Sequence, residues 1–239
     1  MSSVHAPYTG KNCAMSMPSP LHTHSAVDHM RLTPWHTPVV DNHDPQIHNI
    51  VSTSTTMDLV QSTTPIHLQT IAQSLPCCKY DRSKFAAMTI RICNPCCTAL
   101  LFTTGKLVVT GASNWYESML SAMQIAVLIS SIFTDRQFVA EGCEMQNIVA
   151  HTCIQLQHGF TIDLQKMYNT MSLECTYQPT MFPGLSYRPI GSPVVILCFR
   201  SGKVVVTGGK KTQDVKTGWD AVKDKLSQFQ KAPSAPAGH

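Results

Sequence analysis

An internal repeat is the feature of this sequence that most restricts how the chain can fold. At a shift of 97 positions the matches are Cys78 with Cys175, Tyr80 with Tyr177, Phe85 with Phe182, Arg91 with Arg188, Leu100 with Leu197, Phe102 with Phe199, Gly105-Lys106 with Gly202-Lys203, and 108–111 with 205–208. At a shift of 98, residues 49–51 match 147–149 as Asn-Ile-Val. A long period that occurs only twice indicates two copies of one supersecondary unit related by a pseudo-twofold axis, rather than a solenoid.

Each copy contains the elements of a β-hairpin. In the first copy the β-rich runs 85–92 and 98–102 are separated by the turn sequence Asn94-Pro95. Antiparallel pairing of these two runs about the turn predicts Phe85 opposite Phe102. The other predicted elements are a strand at 106–110, helices at 115–133 and 217–229, and shorter helices at 67–75 and 163–171.

Side chains of this hairpin sort onto two faces, because successive residues of a strand point to opposite sides. One face carries Phe85, Ala87, Thr89 and Arg91 with Thr98, Leu100 and Phe102, and the other carries Met88, Ile90, Ile92, Ala99 and Leu101. Two helices per copy cover only one face of such a sheet. The remaining face is therefore uncovered and yet apolar in both copies, and an exposed apolar patch usually marks a binding surface.

The repeat divides the chain into four predicted segments. These are a disordered tail rich in Pro, His, Ser and Thr at 1–45, a first repeat at 46–143, a second repeat at 144–231, and a loose C-terminal tail at 232–239. With 239 residues the chain is long enough for one large domain or two small ones and for a substantial core.

Composition narrows the possible functions. The 18 Lys and Arg residues outnumber the 14 Asp and Glu residues, and a net charge of +4 permits nucleic-acid binding without requiring it. Because no apolar signal-peptide segment opens the sequence, the 10 cysteines are interpreted as reduced thiols of an intracellular protein. The longest apolar run, 119–133, is interrupted by polar residues and is too short to cross a bilayer, so it predicts a buried helix.

Several paired segments resemble the TATA-binding protein family. They are KFAAMTIRI (84–92), TALLFTTGKLVVTGA (98–112), MFPGLSYR (181–188) and LCFRSGKVVVTGG (197–209), together with HNIVST (48–53) and MQNIV (145–149). The resemblance covers roughly 46–230. It implies an α+β fold in which two pseudo-symmetric repeats form a saddle, with a curved antiparallel sheet whose concave surface faces DNA and helices on the convex surface.

By this resemblance, residues of the uncovered face bind DNA. The wedge pairs that partly unstack base steps are Phe85 with Phe102 and Phe182 with Phe199. The residues that contact central A·T pairs are Asn49 and Asn147, assisted by Thr110 and Thr207. The apolar floor, against which the exocyclic amine of guanine clashes, consists of Val51, Val149, Leu100, Leu197, Val108 and Val205. The candidates for phosphate or sugar contacts are Arg91, Arg188, Lys106, Lys203 and Lys210.

The resemblance also implies a set of partners. They are A·T-rich double-stranded DNA, general transcription factors and the RNA polymerase machinery of the nucleus. The resemblance implies no catalytic activity, no cofactor, no metal ion and no contact with a membrane. Family members usually carry acidic residues at the positions of Gln178 and Thr180, which bind the basic factor IIB, and basic residues on helix 115–133, which face acidic regulators such as factor IIA. This sequence has neither, so it does not support the usual contacts with these two factors.

Two other classes of function remain open from the sequence. One is a divergent saddle with weak DNA affinity that acts mainly as a protein-interaction scaffold or specialised regulator. The absence of the usual charges at Gln178, Thr180 and helix 115–133 favours this class, whereas the four phenylalanines favour DNA bending. An enzyme has the least support, because no nucleophile, base and acid group together. The spacing Cys93-x-x-Cys96 can hold zinc, but no second pair completes a module, so turn thiols and small buried hydrophobes explain the cysteines.

Overall fold

The computed structural model describes residues 44–60 and 65–233, and the predictions for the remaining parts of the two tails lie outside these residues. The first repeat contains β1 (Gln46–Asp58), α1 (Leu68–Ser74), β2 (Cys78–Lys79), β3 (Met88–Cys93), β4 (Cys96–Leu101), β5 (Lys106–Ala112) and α2 (Trp115–Ser130). The second contains β6 (Phe138–Cys153), β7 (Thr161–Ile162), α3 (Leu164–Thr170), β8 (Cys175–Thr176), β9 (Leu185–Tyr187), β10 (Val195–Cys198), β11 (Lys203–Gly209), α4 (Thr212–Asp220), α5 (Lys223–Leu226), a 3-10 turn (Ser227–Phe229) and β12 (Gln230–Lys231).

Ten of the strands form one antiparallel sheet, in the order β2-β3-β4-β5-β1-β6-β11-β10-β9-β8. This order is unchanged when the two repeats are exchanged, so a pseudo-twofold axis passes between β1 and β6. The two central strands pair from Gln46 with His151 to Asp58 with Phe138. The repeat of the sequence is therefore an internal symmetry of the sheet, and the predicted α+β fold is confirmed.

Two repeated glycines show why part of the sequence recurs. Gly105 and Gly202 lie at the turns before β5 and β11 and have φ angles of 85° and 84°, a region that L residues rarely adopt. A Cβ atom at these positions would lie 2.5 Å from the carbonyl oxygen of Thr56 or 2.9 Å from that of Ile154. Glycine is required at both turns because of the backbone angle and the close approach together.

The helices cover one face of the sheet, and a separate hydrophobic core lies under each repeat. The first core includes Ile71, Met88, Leu101, Leu107 and Ile125, and the second includes Met167, Leu185, Ile196, Val206 and Trp219. Ile47 and Met145 pack against both cores. The opposite face of the sheet, on which strand residues are half-buried or exposed, is called the open face below.

A buried ion pair distinguishes the first repeat. Arg136 and Asp58, whose side chains are only 5% and 4% exposed, approach to 2.5 Å between Nε and Oδ2. The guanidinium group also lies over the rings of Phe133 and Phe138, 5.4 and 4.9 Å from their centroids. Because Asp58 ends β1 and Arg136 precedes β6, this cluster joins the far ends of the two central strands.

The hairpin of β3 and β4 differs from the prediction in its register. Cys93 pairs with Cys96 around the two-residue turn, so the partner of each β3 residue lies two positions further along β4 than predicted. The prediction that Phe102 lies directly opposite Phe85 is therefore wrong, although the two rings remain in contact. The shift leaves the predicted faces of the paired residues unchanged: Met88, Ile90, Ala99 and Leu101 are buried, whereas Thr89, Arg91, Thr98 and Leu100 lie on the open face.

Strand β3 also begins later than predicted, at Met88 rather than Phe85. The carboxylate of Asp81 accepts hydrogen bonds from the N–H and the hydroxyl of Ser83, at 3.1 and 2.6 Å, and the Asp81 carbonyl accepts from the N–H of Phe85 at 3.0 Å. This turn keeps Phe85 out of the strand. Ala87, predicted for the uncovered face, is instead buried, with 2% of its surface exposed.

The second long helix begins earlier than predicted and is interrupted. The Asp214 carboxylate accepts hydrogen bonds from the N–H groups of Lys210 and Lys211, at 3.0 and 2.9 Å, so α4 starts at Thr212. The chain leaves α4 after Asp220 and enters α5 only after the fully buried Val222. The other predicted helices agree with the structure to within three residues at each end. Within the described residues, no helix has the length and apolar character needed to span a membrane.

Candidate nucleic-acid interface

Rows of side chains cross the open face in both repeats. In the first repeat, strand pairing aligns Thr89, Leu100, Val108, Thr53 and Glu144, and in the second it aligns Ser186, Leu197, Val205, His151 and Gln46. A further row in each repeat places Val51 between Thr110 and Asn147, and Val149 between Thr207 and Asn49. The floor residues predicted from the sequence are all half-buried and lie together in these rows.

The predicted wedge residues form two aromatic pairs, one in each repeat. The ring centroids are 6.4 Å apart in the pair of Phe85 and Phe102 and 5.7 Å apart in the pair of Phe182 and Phe199, and both pairs are edge-to-face. Phe85 is 49% exposed and Phe182 is 42% exposed. Large apolar side chains seldom remain this exposed without a functional reason when they cluster.

Gly184 accounts for the tighter of the two pairs. A Cβ atom on this residue would lie 2.7 Å from the ring of Phe182 and 2.9 Å from the ring of Phe199. Its counterpart at the shift of 97 is Ala87, which carries the additional carbon atom. The closer approach of the second ring pair thus depends on the absence of a side chain at position 184.

Asn49 and Asn147 occupy equivalent positions beside the pseudo-twofold axis. The side-chain oxygen of Asn49 accepts a hydrogen bond from the N–H of Gly111 at 2.7 Å, and that of Asn147 accepts one from Gly208 at 2.8 Å. Because a backbone N–H can only donate, these bonds fix the orientation of both amide groups. The amide nitrogen of each asparagine is therefore the donor, and that of Asn147 lies 3.3 Å from the Thr207 hydroxyl. The hydroxyls of Thr110 and Thr207 lie 3.2 and 3.3 Å from the same oxygens.

The predicted basic residues lie around the apolar rows and are all exposed. Lys106 and Lys203 begin β5 and β11, Arg91 lies in β3, Arg188 follows β9, and Lys210 follows β11. The Nζ atom of Lys210 donates to the side-chain oxygen of Gln146 at 2.9 Å, which holds it beside the central strands. The structure distributes these residues rather than gathering them into one basic cluster.

Sequence reasoning missed four residues beside the asparagines. Beside the pseudo-twofold axis, the ladder of β1 and β6 leaves His48 and Gln146 unpaired, and such β-bulges redirect a side chain. Gln146 donates to the hydroxyl of Thr53 at 2.8 Å. The ring of His48 lies edge-on to that of His151, with 5.1 Å between centroids and 74° between planes. A 98-residue shift relates His48 to Gln146 and Thr53 to His151, which was the available clue.

Two carboxylates of β6 also lie at the centre of the open face. Glu144 is exposed and opposite Thr53, and Glu141 is exposed and opposite Thr55. The side-chain nitrogen of Gln146 lies 3.4 Å from a Glu144 oxygen, which places both on the same face. At this position the charge opposes the approach of a phosphate backbone.

The cysteines divide into buried and exposed thiols. Burial raises the pKa of Cys78 and Cys198 to about 12 and that of Cys175 to about 11, so these thiols stay protonated at neutral pH. Cys93 and Cys96 are exposed at the end of the first hairpin. Within 44–60 and 65–233 no cysteine forms a disulfide, and no three His, Cys, Asp or Glu side chains are placed to share a metal ion.

Comparison with known proteins gives consistent matches across this fold. The family model described as "Transcription factor TFIID (or TATA-binding protein, TBP)" matches residues 44–132 and 143–229. The TATA-box-binding protein of Candida albicans is 34% identical over 189 residues, which are 78% of this chain and 74% of the relative. That of Saccharomyces cerevisiae is 34% identical over 187 residues, which are 78% of this chain and 73% of the relative.

A solved structure with the same architecture is that of TBP from Methanococcus jannaschii. It superposes with a TM-score of 0.63 and 27% identity, and the match covers 77% of this chain and 99% of the archaeal chain. The match supports a saddle built from two repeats, with helices on one side of the sheet. The family model matches each half of the chain, and the family consists of transcription factors rather than enzymes. This chain is therefore a member of the TATA-binding protein family.

Proposed function

We propose that this chain is a transcription initiation factor that binds A·T-rich double-stranded DNA in the minor groove, across its open face, and bends it. The observation that carries the proposal is the occurrence of two exposed aromatic pairs at equivalent places on an apolar sheet face. A face of this kind is expected to be covered by a partner. The relatives named TATA-box-binding protein point to the DNA element.

The chemistry of the minor groove supports selectivity for A·T pairs. There an A·T pair presents only acceptors, whereas a G·C pair adds the amine of guanine. The amide nitrogens of Asn49 and Asn147 are donors that match these acceptors, because the oxygen of each amide is held by a backbone N–H. The Val and Leu floor has no acceptor for the guanine amine, so a G·C pair leaves that donor without a partner.

Bending follows from insertion of the aromatic pairs between base steps. For minor-groove architectural proteins, this family among them, unstacking costs a few kcal/mol per step and is offset by the additional protein surface that bent DNA contacts. Phe85 and Phe182 are the more exposed rings of the two pairs and are the leading edges of the wedges. Lys106 and Lys203 begin the neighbouring strands β5 and β11, where they contact the backbone of the bent duplex.

The proposed protein partners are general transcription factors and the RNA polymerase machinery of the nucleus, with two altered contacts. Gln178 and Thr180 are exposed and neutral, and Met181 beside them is 82% exposed. Charge pairs at an interface chiefly set partner choice and association rate. Binding of an ordinary, basic factor IIB is therefore expected to be weak, and the double change Gln178→Glu with Thr180→Glu is expected to strengthen it. The uncharged outer side of α2 disfavours an acidic regulator such as factor IIA in the same way.

A second candidate is a saddle that serves mainly as a protein-interaction scaffold. Glu141 and Glu144 favour this function, because carboxylates at the centre of the open face repel phosphates. The outer side of α2 favours it as well, since Tyr116, Met123 and Val127 are 68%, 55% and 67% exposed. Neither observation accounts for the four phenylalanines, so the DNA-bending function is preferred.

A binding titration with a bend readout separates the two candidates. The protein is titrated against A·T-rich and G·C-rich duplexes of equal length at a stated salt concentration, with a fluorophore at each end of the DNA to report the end-to-end distance. The expected result is tighter binding to the A·T-rich duplex and a shortened distance in the complex. Equal, weak and salt-sensitive binding to both duplexes, without shortening, would support the scaffold instead.

A further inference from the structure

The two β-bulges beside the pseudo-twofold axis place different chemistry on the two sides of the open face. On one side Gln146 is fully engaged, because its nitrogen donates to Thr53 at 2.8 Å and its oxygen accepts from Lys210 at 2.9 Å. On the other side the equivalent positions hold His48 and His151, both exposed. Among the described residues, no side chain or backbone group hydrogen-bonds to either imidazole ring. The histidine side is therefore the one with ring nitrogens available to a ligand.

The position of the histidine pair on the sheet indicates which ligand it can contact. His151 lies between Gln46 and Val205 in the row that also contains Leu197, and His48 precedes Asn49. All of these residues belong to the surface proposed to contact the minor groove. The groove edge of A·T pairs consists of acceptors, and a narrow A·T-rich groove has an enhanced negative potential that attracts Arg, Lys and His side chains.

We infer that His48 and His151 form an additional DNA contact on one side of the saddle, and that their protonation couples DNA binding to the uptake of protons. This inference rests on the proposed DNA-binding function. A neutral imidazole has one N–H donor, and a protonated imidazole has two donors and a positive charge. Both changes strengthen contacts with groove acceptors and phosphates. DNA affinity therefore rises as the pH falls through the range, about pH 8 to 5, in which histidine gains its charge.

The other groups around the pair do not supply a competing anion. On β6 the next residue on the same face is Cys153, and Lys203 on β11 lies opposite it. On β1 the nearest acidic residue is Asp44, which precedes the strand, while Glu141 and Glu144 lie towards the other end of β6. Neither histidine has a carboxylate as its ladder partner. The phosphates of bound DNA are then the anions that the two rings can contact in the complex.

The test compares the wild type with the double variant His48→Gln and His151→Thr, which copies the Gln146 and Thr53 arrangement of the other side. Affinity for an A·T-rich duplex is measured at constant ionic strength between about pH 6 and about pH 8. Between these limits the wild type is expected to gain about three- to tenfold in affinity over any gain of the variant, since an interaction that shifts one titration by a unit changes binding tenfold. Binding enthalpies in buffers of different ionisation enthalpy count the protons taken up.

Two controls keep the result specific. The variant His67→Gln with His158→Gln removes two exposed histidines that lie outside the ten-stranded sheet and is expected to keep the full pH dependence. The single variants His48→Gln and His151→Thr give the same information if the double variant is unstable. A wild type without pH-dependent binding, or a pH dependence and proton uptake that survive the double variant, would overturn the inference. Failure to bind A·T-rich DNA at any pH would instead reject the proposed function and the inference with it.

Discussion

The two repeats share one backbone plan but differ where they meet. Strand order, the glycine turns and the hydrogen-bonded asparagines Asn49 and Asn147 are the same in both. At the central bulges the first side carries Gln146 with Glu144 nearby, and the second carries His48 with His151. The positions that fix backbone angles and the residues of the apolar floor are thus shared, whereas the residues at and beside the two bulges have diverged. A symmetric sheet can in this way present an asymmetric surface to its ligand.

The helix-covered sides of the two repeats differ in a similar way. The outer residues of α2 are apolar and exposed, with Tyr116, Met123 and Val127 on one stripe. Helices α4 and α5 instead expose charged residues, and Lys223 pairs with Asp220 at 2.6 Å. Because a helix that is apolar on both sides is usually buried, the two repeats are suited to partners of different chemistry even though their cores are equivalent.

The largest effect that separates the repeats is expected from the buried ion pair. Arg136→Ala removes the buried cation that faces the Asp58 carboxylate and is expected to cost about 3–5 kcal/mol in the free energy of unfolding. The matched change in the second repeat is Lys231→Ala, which breaks the Lys231–Asp163 pair, whose side chains are 60% and 25% exposed. That change is expected to cost less than about 1 kcal/mol. Urea unfolding of both variants measures the difference, and equal costs would contradict this role for Arg136.

The wedge pairs test whether the repeats contribute equally to bending. Phe85→Ala and Phe182→Ala each remove the more exposed ring of one pair, so both variants are expected to fold. Each is expected to reduce the bend and to lower DNA affinity by about tenfold or more, because less of the unstacked step is filled. Fluorescence transfer across the duplex reports the bend. A loss of about 3–5 kcal/mol in folding stability in either variant would show that the ring belongs to the core instead.

Asn49 and Asn147 are expected to contribute equally to the preference for A·T pairs. Asn49→Ala with Asn147→Ala removes both amide donors and is expected to narrow the preference for A·T over G·C duplexes by about 1–3 kcal/mol per contact. Nonspecific binding changes less, since it depends on the basic residues. Asn169→Ala, on the exposed side of α3, is the control. An unchanged ratio of A·T to G·C affinity in competition titrations would show that the asparagines do not contribute to recognition of A·T pairs.

The smallest predicted difference concerns the response to alkali. Cys198 in the second core, whose counterpart is Leu101, has its pKa raised by burial from 9.0 to about 12. Between these values the unfolded thiol loses its proton and the folded thiol keeps it, so stability falls as the pH rises. The slope for one such thiol is at most about 1.4 kcal/mol per pH unit. Cys198→Ala should flatten the fall in unfolding free energy from about pH 9 to 11, and Cys153→Ala, at an exposed site, should not.

Much of this architecture could be predicted from the sequence because the repeat and the strand alternation are local patterns. These patterns predicted the two copies, the helix-covered face and the apolar rows that contain Leu100 and Leu197. The start of β3 could not be predicted in this way, since it depends on one side chain, Asp81, capturing Ser83. The start of α4 likewise depends on the Asp214 cap rather than on an apolar period.

The placement of His48 beside His151 could not be predicted without knowing how the strands pair. His48 and Gln146 become unpaired only when β1 and β6 align, and these strands are far apart in the chain. A bulge also breaks the alternation from which faces are assigned, so His48 could not be placed on the open face from its neighbours. The hairpin register was wrong for a related reason: the closing pair at the turn, Cys93 with Cys96, is decided by the turn and not by the apolar pattern.

The central seam of the sheet has a mechanical consequence. Ile47 and Met145 belong to both cores, and the ladder of β1 and β6 continues to the ion pair of Asp58 and Arg136. A load applied at the two aromatic pairs therefore meets a stiff joint at its middle, where many backbone hydrogen bonds share the stress. We expect the two repeats to move as one body rather than to hinge about the pseudo-twofold axis. In a complex with a more flexible partner, the partner is then the body that changes shape.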